Sequence, residues 1–320
     1  MKQSSLGLGT ATKRTRRREF LDEMDRVVPW SALVAEIEPF MPEGKRSRPP
    51  FPVESLLRIH FMQQWFTLSA PAMEEALHDV PLICDFAGLG GWDDRLPDES
   101  TILRFRHVLE KNKLAERILA TVNLLQGAKG LMLRSGTMVD ATLVSAPSST
   151  KNASGERDPE MHPSKKGQQW FFGMKAHIGV DADSGLVHTM RGTSGNVNDV
   201  VEANSLLHGQ EKDVFADAGY QGADKRPDVK EDVQLHVAMR PGKRKSLEKT
   251  DPVDALTDQV ERIKASIRAK VEHPFRVIKR QFGHVKVRYR GLATNTAQLH
   301  TLFALANLWM VRKRLTGSLA

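Results

Sequence analysis

Over residues 51–130, apolar residues recur at every third or fourth position, and this spacing predicts a series of helices. In the segment "PDESTILRFRHVLEKNKLAERILATVNLL", Ile102, Phe105 and Leu109 share one face, and the aspartate of "PDES" can cap the first turn. We predict that these residues form an all-helical N-terminal domain. Residues 1–50 precede it as a basic arm, "KRTRRR", that runs into an amphipathic first helix.

The pattern changes after this helical region. Segments rich in β-branched and aromatic residues predict short strands in "GTMVDATLVSA", "DVFADAGY" and "VQLHVAM", and "WFFGMKAHIGVDADSGLVHTMRGT" predicts two strands joined at "DADSG". Helical spacing returns over residues 196–209, 253–282 and 294–314. Together these elements predict a mixed α/β domain over residues 131–320. Residues 147–168, rich in Ser, Pro and Lys, are predicted to form a mobile loop within it.

The predicted helix over residues 253–282 has two distinctive faces. One is apolar and is predicted to pack on the core; it comprises Leu256, Val260, Ile263, Ile267, Val271, Phe275, Ile278 and Phe282. Beside it lie Arg268, Glu272, Arg276 and Lys279. Ion pairs between Glu272 and the two arginines on a solvated face are one interpretation. The other is a surface that binds an anion, because "IRAKVEHPFRVIKRQFG" holds no second acid and its proline is predicted to bend the helix beside Glu272.

Two aspartates occupy unusual places in predicted strands. Asp140 interrupts the apolar run "TMVDATLV", where a charge is costly unless it is paired, hydrogen-bonded or bound to a metal. Asp217 follows the strand of "DVFADAGY" directly and precedes a turn of small residues. Each alone is typical of a strand-end cap. With Glu272 they form a set of hard oxygen ligands that suits Mg²⁺ or Mn²⁺, and two such ions roughly 4 Å apart can promote displacement at a phosphodiester.

Composition supports an anionic partner. Lys and Arg outnumber Asp and Glu by 47 to 39, which gives a net charge of +8 and favours nucleic acid or an anionic membrane surface. The longest apolar stretches are too short and too close to basic residues to span a bilayer, and the N-terminus lacks the apolar core of a signal peptide. We therefore expect a cytoplasmic protein.

Four segments of the chain resemble a known family. They are "TMVDATLVSAPSSTKN", "RDPEMHPSKKGQQWFFGMKAHIGVDADSGLVH", "DVFADAGYQGA" and "SIRAKVEHPFRVIKRQFG", and they are similar to DDE transposases of bacterial insertion sequences, specifically the insertion sequence five family. The resemblance covers nearly the whole chain. Asp140, Asp217 and Glu272 correspond to the three acids, with spacings of 217 − 140 = 77 and 272 − 217 = 55 residues.

The resemblance implies a fold, an activity and partners. It implies an RNase H-like catalytic core over residues 131–320 and a helical DNA-binding domain before it. It also implies metal-dependent nicking of double-stranded DNA at the terminal inverted repeats, followed by attack of the freed 3′-hydroxyl on target DNA. Two Mg²⁺ or Mn²⁺ ions, and a homodimer or larger assembly on DNA, are expected by the same analogy.

The resemblance also implies roles for basic residues. Arg268 and Lys279 fit the family's Tyr-x2-Arg-x3-Glu-x6-Lys motif and are expected to contact phosphate, whereas the tyrosine position holds Ala265. Arg276 and Lys175 are further candidates for contact with DNA.

Several other residues have two interpretations. Asn198 and Asp199 are candidates to support the site from behind, with capping of the next helix as the simpler interpretation. The helix with Arg104 and Arg106 could be the recognition helix of a helix-turn-helix or a plain polar face. Trp170 is interpreted as core or hairpin packing, with stacking on an unpaired base as an alternative.

Two rival functions share most of these features. A DNA-binding regulator would need no triad of costly carboxylates. A nuclease of RNase H-like fold without strand transfer would not need the N-terminal helical domain to recognise ends.

Overall fold

The computed structural model describes residues 14–42, 49–91, 95–153, 155–227 and 232–317. The start of the predicted basic arm, through Lys13, lies outside these residues. The helices are α1 (Arg16–Val27), α2 (Trp30–Ile37), α3 (Val53–Phe66), α4 (Ala70–Asp79), α5 (Pro81–Phe86), α6 (Glu99–Lys111), α7 (Leu114–Ala128), α8 (Asp199–Glu202), α9 (Pro241–Lys245), α10 (Pro252–Arg268), α11 (Glu272–Arg276) and α12 (Leu292–Leu315). The strands are β1 (Gly136–Ser145), β2 (His162–Lys166), β3 (Gln169–Asp181), β4 (Val187–Ser194), β5 (Asp213–Ala216) and β6 (Gln234–Val237).

Three of the N-terminal helices, α1, α4 and α6, begin at a polar residue whose side chain caps the first turn. Asp98 Oδ1 accepts a hydrogen bond from the Thr101 amide at 2.8 Å at the start of α6. On the same helix, Arg106 pairs with Glu110 and its guanidinium lies 4.2 Å from the centre of the Tyr289 ring. Since that contact holds Arg106 against the C-terminal part of the chain, Arg106 is partly buried, whereas Arg104, His107 and Lys111 of α6 are exposed.

The strands form one mixed sheet with β1 near its centre. β1 pairs antiparallel with β3 on one side and parallel with β5 on the other, and β6 continues the parallel part beyond β5. β3 is long enough to pair with β2 along its first residues and with β4 along the rest. A mixed sheet with flanking helices and a helical N-terminal part confirms the predicted RNase H-like fold class.

One apolar core joins the helical part to the sheet. It runs from Leu21 on α1 through Ile178 on β3 to Phe303 on α12. Polar contacts reinforce the junction, since Asn307 of α12 donates to the side-chain oxygen of Asn123 on α7 at 3.0 Å. The division into residues 1–50, 51–130 and 131–320 stays a prediction.

The prediction that α10 packs on the core through an apolar face is wrong for the first half of the helix. Val253, Leu256, Val260 and Ile263 are between 43% and 70% exposed. Glu261 is the one buried side chain of α10, and its carboxylate accepts from the Met239 amide at 2.8 Å and from the Lys264 ammonium at 2.9 Å. The helix therefore packs on the end of the sheet through a polar residue, and the apolar face begins to meet the core only near its C-terminal end.

Three other predicted elements differ from the structure. The predicted helix over residues 196–209 is reduced to α8 and one 3₁₀ turn, Asn204–Leu206. The predicted loop over residues 147–168 contains β2, which extends the sheet by pairing with β3. The long helix before residue 282 is interrupted, as the next section describes.

Candidate active site

Asp140 lies in the middle of β1, opposite Ile178 of β3. Its Oδ1 accepts a hydrogen bond from the Ala141 amide at 2.8 Å. Burial raises the pKa of this carboxyl to about 7; the charges of Asp217 and Glu272 raise it further, while the Ala141 amide and Arg268 oppose the rise. The three acids that the sequence singles out are therefore within electrostatic reach of one another.

Asp217 reaches the same place from the neighbouring strand. Met138 pairs with Phe215 in the parallel register of β1 and β5, and each aspartate lies two residues further along its strand. Adjacent strands are about 4.8 Å apart, so the two aspartates emerge side by side at the carboxyl end of β5. Asp217 also caps the 3₁₀ turn Ala218–Tyr220, because its Oδ1 accepts from the Gly219 amide at 2.8 Å.

Glu272 stands at a break in the long helix. α10 ends at Arg268, a 3₁₀ turn covers Ala269–Val271, α11 starts at Glu272, and a π-helical turn covers Val277–Gln281. Pro274 has no amide hydrogen for the carbonyl of Lys270, which accounts for irregular backbone at this point.

Glu272 does not form the ion pairs with neighbouring arginines that one interpretation of the sequence predicts. Among the described residues, no ion pair within 4.0 Å joins Glu272 to Arg268 or Arg276. The buried Nε of Arg268 has no hydrogen-bond partner, and Arg276 is exposed. Neither guanidinium is therefore held in an ion pair with Glu272.

Lys279 connects the helix to the strand of Asp140. Its ammonium donates to Thr142 Oγ1 at 2.6 Å and to the Leu143 carbonyl at 3.3 Å. Burial lowers the pKa of Lys279, as does the nearby charge of Lys166, while Glu272 and Asp140 raise it. Sequence reasoning missed Thr142, although its place two residues after Asp140 puts both side chains on one face of β1.

Lys175 lies on the other face of the sheet. It pairs with Leu143, whose side chain alternates with that of Thr142. The Lys175 ammonium donates to Asp199 Oδ1 at 2.8 Å and to the Val197 carbonyl at 2.7 Å. An ammonium engaged in this internal pair is not placed to bind DNA, so Lys175 is not carried into the proposal below.

Asn198 and Asp199, at the start of α8, have different roles. Asn198 caps α8, since its Oδ1 accepts from the Val200 amide at 3.2 Å, as the simpler interpretation predicts. Asp199 pairs with Lys175 and lies 3.8 Å from His177 Nδ1. Asp199 therefore lies with Lys175 on the face of the sheet opposite Asp140. It is not among the groups that shift the pKa of Asp140.

Tyr220 is a residue that sequence reasoning missed. It is only 1% exposed and packs with Val139 and Ala216 beneath the sheet, and its hydroxyl has no hydrogen-bond partner. Burial raises its pKa, and Asp199, Asp140 and Asp217 raise it further. The available signal was its position three residues after a strand-end acid, in "DAGY".

The donor chemistry suits a hard divalent cation, but the acids do not form a ready-made cage. No group of three or more His, Cys, Asp or Glu side chains in the described part of the chain is arranged to hold a metal ion. The charges of Asp217 and Glu272 instead raise the pKa of Asp140, which reflects repulsion among the three carboxylates. A bound cation would offset that repulsion. A cation here would need further oxygen ligands from outside the protein.

None of the described helices is long and apolar enough to cross a membrane.

Comparisons with known proteins identify the family of the chain. Residues 132–308, more than half of the chain, match the family described as "Transposase DDE domain", and residues 10–108 match "Transposase domain (DUF772)". Among solved structures, the chain is similar to piggyBac transposase in its synaptic complex with hairpin DNA, with 10% sequence identity and a TM-score of 0.48 over 93% of this chain and 73% of that chain. We take no residue role from a likeness of that strength. The two family matches show that the chain belongs to the DDE transposase family and is a DNA transposase.

Proposed function

We propose that Asp140, Asp217 and Glu272 are the catalytic acids of this transposase. Enzymes of the family use divalent metal ions, and we propose that here the three acids hold Mg²⁺ or Mn²⁺, two ions in all. The observation that carries the proposal is the strand register that brings Asp217 beside Asp140, with Glu272 close enough to help raise the pKa of Asp140 to about 7. Nothing in the fold of β1 requires a charged residue at that point, and burying one there is costly.

The proposed reaction takes place on double-stranded DNA. Hydrolysis of a phosphodiester at each terminal inverted repeat frees a 3′-hydroxyl, which then attacks a phosphodiester of target DNA. Bound divalent ions supply activation of the attacking oxygen and stabilisation of the leaving one. Phosphate oxygens of the DNA would complete the ligand set that the three carboxylates leave open.

The residues of the chain have separate parts in this reaction. The carboxylate of Asp140 must be ionised to bind a cation, which its raised pKa makes harder below about pH 7. Arg268, with its unpartnered buried Nε, would bind the phosphate beside the cleaved bond. Arg276 is exposed beside it and would hold the DNA backbone further away, while Lys279 orients β1 through Thr142.

The wider setting follows the same proposal. A net charge of +8 favours association with DNA at low salt. Bringing two element ends together calls for at least two active sites, so we propose a homodimer or larger assembly on DNA. We place the reaction in the cytoplasm, where bacterial DNA is found.

The test is cleavage of a labelled linear DNA that carries the element's own end, with Mg²⁺, with Ca²⁺ or with EDTA. We expect wild-type protein to cleave only with Mg²⁺ and Glu272→Gln to lose at least about 100-fold in rate while DNA binding persists. Glu116→Gln, at an exposed position on α7, is the matched control and should cleave normally.

Other outcomes would select another function. Specific binding without cleavage in the wild type would favour a regulator. Cleavage without preference for the element's end, and without joining to target DNA, would favour a nuclease.

A further inference from the structure

The hairpin of β2 and β3 is largely exposed and carries an exposed tryptophan. The side chains of β2 are exposed except for that of Ser164, which is partly buried. Trp170, near the start of β3, is 66% exposed. The indole ring of Trp170 is therefore available to a partner from outside the chain.

Trp170 lies on the same sheet face as Asp140. Asp140 is opposite Ile178, and side chains of β3 alternate, so residues 178, 176, 174, 172 and 170 share that face. Ile178, Ala176 and Met174 are fully buried, and Phe172 is partly buried. The apolar face of the strand therefore continues past the end of the core, and Trp170 is its first residue without cover from the protein.

The charge beside Trp170 is entirely positive. Lys165 is its cross-strand partner, with its ammonium 6.0 Å from the centre of the indole ring. Residues 161–180 contain no Asp or Glu. The nearest acids in the preceding loop face away, because Asp158 and Glu160 accept from the amides of Gly291 and Leu292 at the start of α12.

The hairpin is continuous with the candidate active site. Lys166 is close enough to Lys279 to lower its pKa, and Lys279 bonds to Thr142, two residues from Asp140. A track of positive charge therefore leads from the acids to the hairpin. Eight residues separate Ile178 from Trp170, which at about 3.3 Å per residue is about 26 Å along the strand.

We propose that Trp170 stacks on an unpaired base of the bound DNA, about eight nucleotides from the cleaved phosphodiester, and that Lys165 and Lys166 bind the adjoining phosphates. The distance follows from a rise of about 3.4 Å per nucleotide in B-DNA. The base must be unpaired because a stacked base pair offers an aromatic ring only its edge. This inference rests on the proposed function, since it takes the three acids as the point of cleavage.

The test measures the affinity of Mg²⁺-free protein for a series of DNAs whose flank beyond the cleavage point grows from about 4 to about 14 nucleotides. Each is made fully paired and with one unpaired base at successive positions. We expect wild-type affinity to rise when an unpaired base is present about eight nucleotides from the cleavage point. Trp170→Ala should lose about tenfold on that DNA and nothing on the shortest ones.

Three variants serve as controls. Trp170→Phe keeps an aromatic ring and should retain most of the affinity. Lys165→Ala should weaken binding by an amount that shrinks as salt rises. Leu133→Ala removes another exposed apolar side chain, 64% exposed, before the opposite end of β1, and should bind as the wild type does.

The outcomes separate this inference from the proposed function. The inference is overturned if wild-type affinity ignores the unpaired base, if Trp170→Ala weakens all DNAs equally, or if Trp170→Phe is as poor as Trp170→Ala. In each of these three outcomes, the proposed function would still stand if wild type and Trp170→Ala both cleaved the shortest DNA. Absence of wild-type cleavage on every DNA would count against the proposed function, whatever the affinities show.

Discussion

At the scale of single residues, the carboxylate of Asp140 lowers the stability of the folded protein. Asp140 is half-buried in a strand, lies near two other carboxylates, and has one backbone amide as its hydrogen-bond donor. A protein under no other demand would place a neutral residue there. The same features make Asp140 a site that a cation can stabilise.

The first prediction concerns the stability of an Asp140→Asn variant without metal. The pKa of Asp140 is about 7 in the folded protein and ordinarily 3.8. The folded form therefore holds a proton that the unfolded form has lost, and stability falls as pH rises from about 4 to about 7. We expect the variant to be about 2 kcal/mol more stable than wild type at pH 8 and to show little difference at pH 4.

Urea denaturation in EDTA at the two pH values measures this difference. Equal effects at both would show that the amide acts through packing alone. Adding Mg²⁺ at pH 8 should stabilise the wild type and leave Asp140→Asn unchanged.

At the scale of elements, the position of Glu272 depends on an interrupted helix. The 3₁₀ turn Ala269–Val271 and the π-helical turn Val277–Gln281 enclose α11, and Pro274 lies between them. An uninterrupted helix would rotate the residues before the proline relative to Phe275 and Ile278, which are anchored in the core.

The second prediction is that Pro274→Ala lowers cleavage without loss of stability. Alanine restores an amide hydrogen to the carbonyl of Lys270 and favours regular helix, which shifts Glu272 relative to β1. We expect about a tenfold or greater fall in cleavage rate, with DNA affinity and melting temperature retained. A variant that melts early would point to lost packing of the buried Pro274 ring instead.

The third prediction contrasts two residues of the same predicted apolar face. Leu256 is exposed on α10, whereas Ile278 is fully buried in the main apolar core. We expect Leu256→Ala to change stability by less than about 0.5 kcal/mol and Ile278→Ala to cost about 2–5 kcal/mol. Chemical denaturation of both variants measures this, and similar costs at the two sites would mean that the start of α10 is covered in solution.

Periodicity explains why these two residues looked alike in the sequence. Spacing of apolar residues identifies the face of a helix correctly, as Phe275, Ile278 and Phe282 show. It cannot tell how far the core extends along that face, because this depends on where the sheet ends. The strands of "GTMVDATLVSA" and "DVFADAGY" were predictable for the same local reasons, and so were the aspartate within the first and the aspartate at the end of the second.

The remaining parts of the site depend on long-range pairing. Nothing near Thr142 in the sequence shows that Lys279 will bond to it, and the partner of Lys175 is 24 residues away. Tyr220 looked like an ordinary turn aromatic until its hydroxyl was found buried among acids. Such contacts appear only once the strand register is known.

At the scale of the whole molecule, buried histidines set the response to acid. Burial lowers the pKa values of His60, His284 and His300 to about 4 and that of His188 to about 3. These side chains are spread over α3, β4, α12 and the segment before α12. Since all four are neutral when folded, the unfolded chain alone takes up protons below about pH 6.5.

The fourth prediction is a steep loss of stability in weak acid. The stability that depends on neutral histidines is fully present above pH 6.5 and is lost as pH falls towards 4. Each histidine should contribute about 2 kcal/mol of loss between pH 6.5 and pH 5, so the four together exceed the opposite effect, also about 2 kcal/mol, of the single carboxyl of Asp140. Melting temperatures across this range measure the slope, and His60→Phe should reduce it by about one quarter; an unchanged slope would exclude His60 as a contributor.

The exposed apolar face of α10 gives the molecule two surfaces with opposite responses to salt. Added electrolyte weakens the hold of the basic surface on nucleic acid, because counterions compete for the phosphates. Strongly hydrated anions such as sulfate make apolar surface more costly to leave in water, so they favour contact between copies through Val253, Leu256, Val260 and Ile263. High concentrations of such a salt should therefore release the protein from DNA and favour its self-association at the same time.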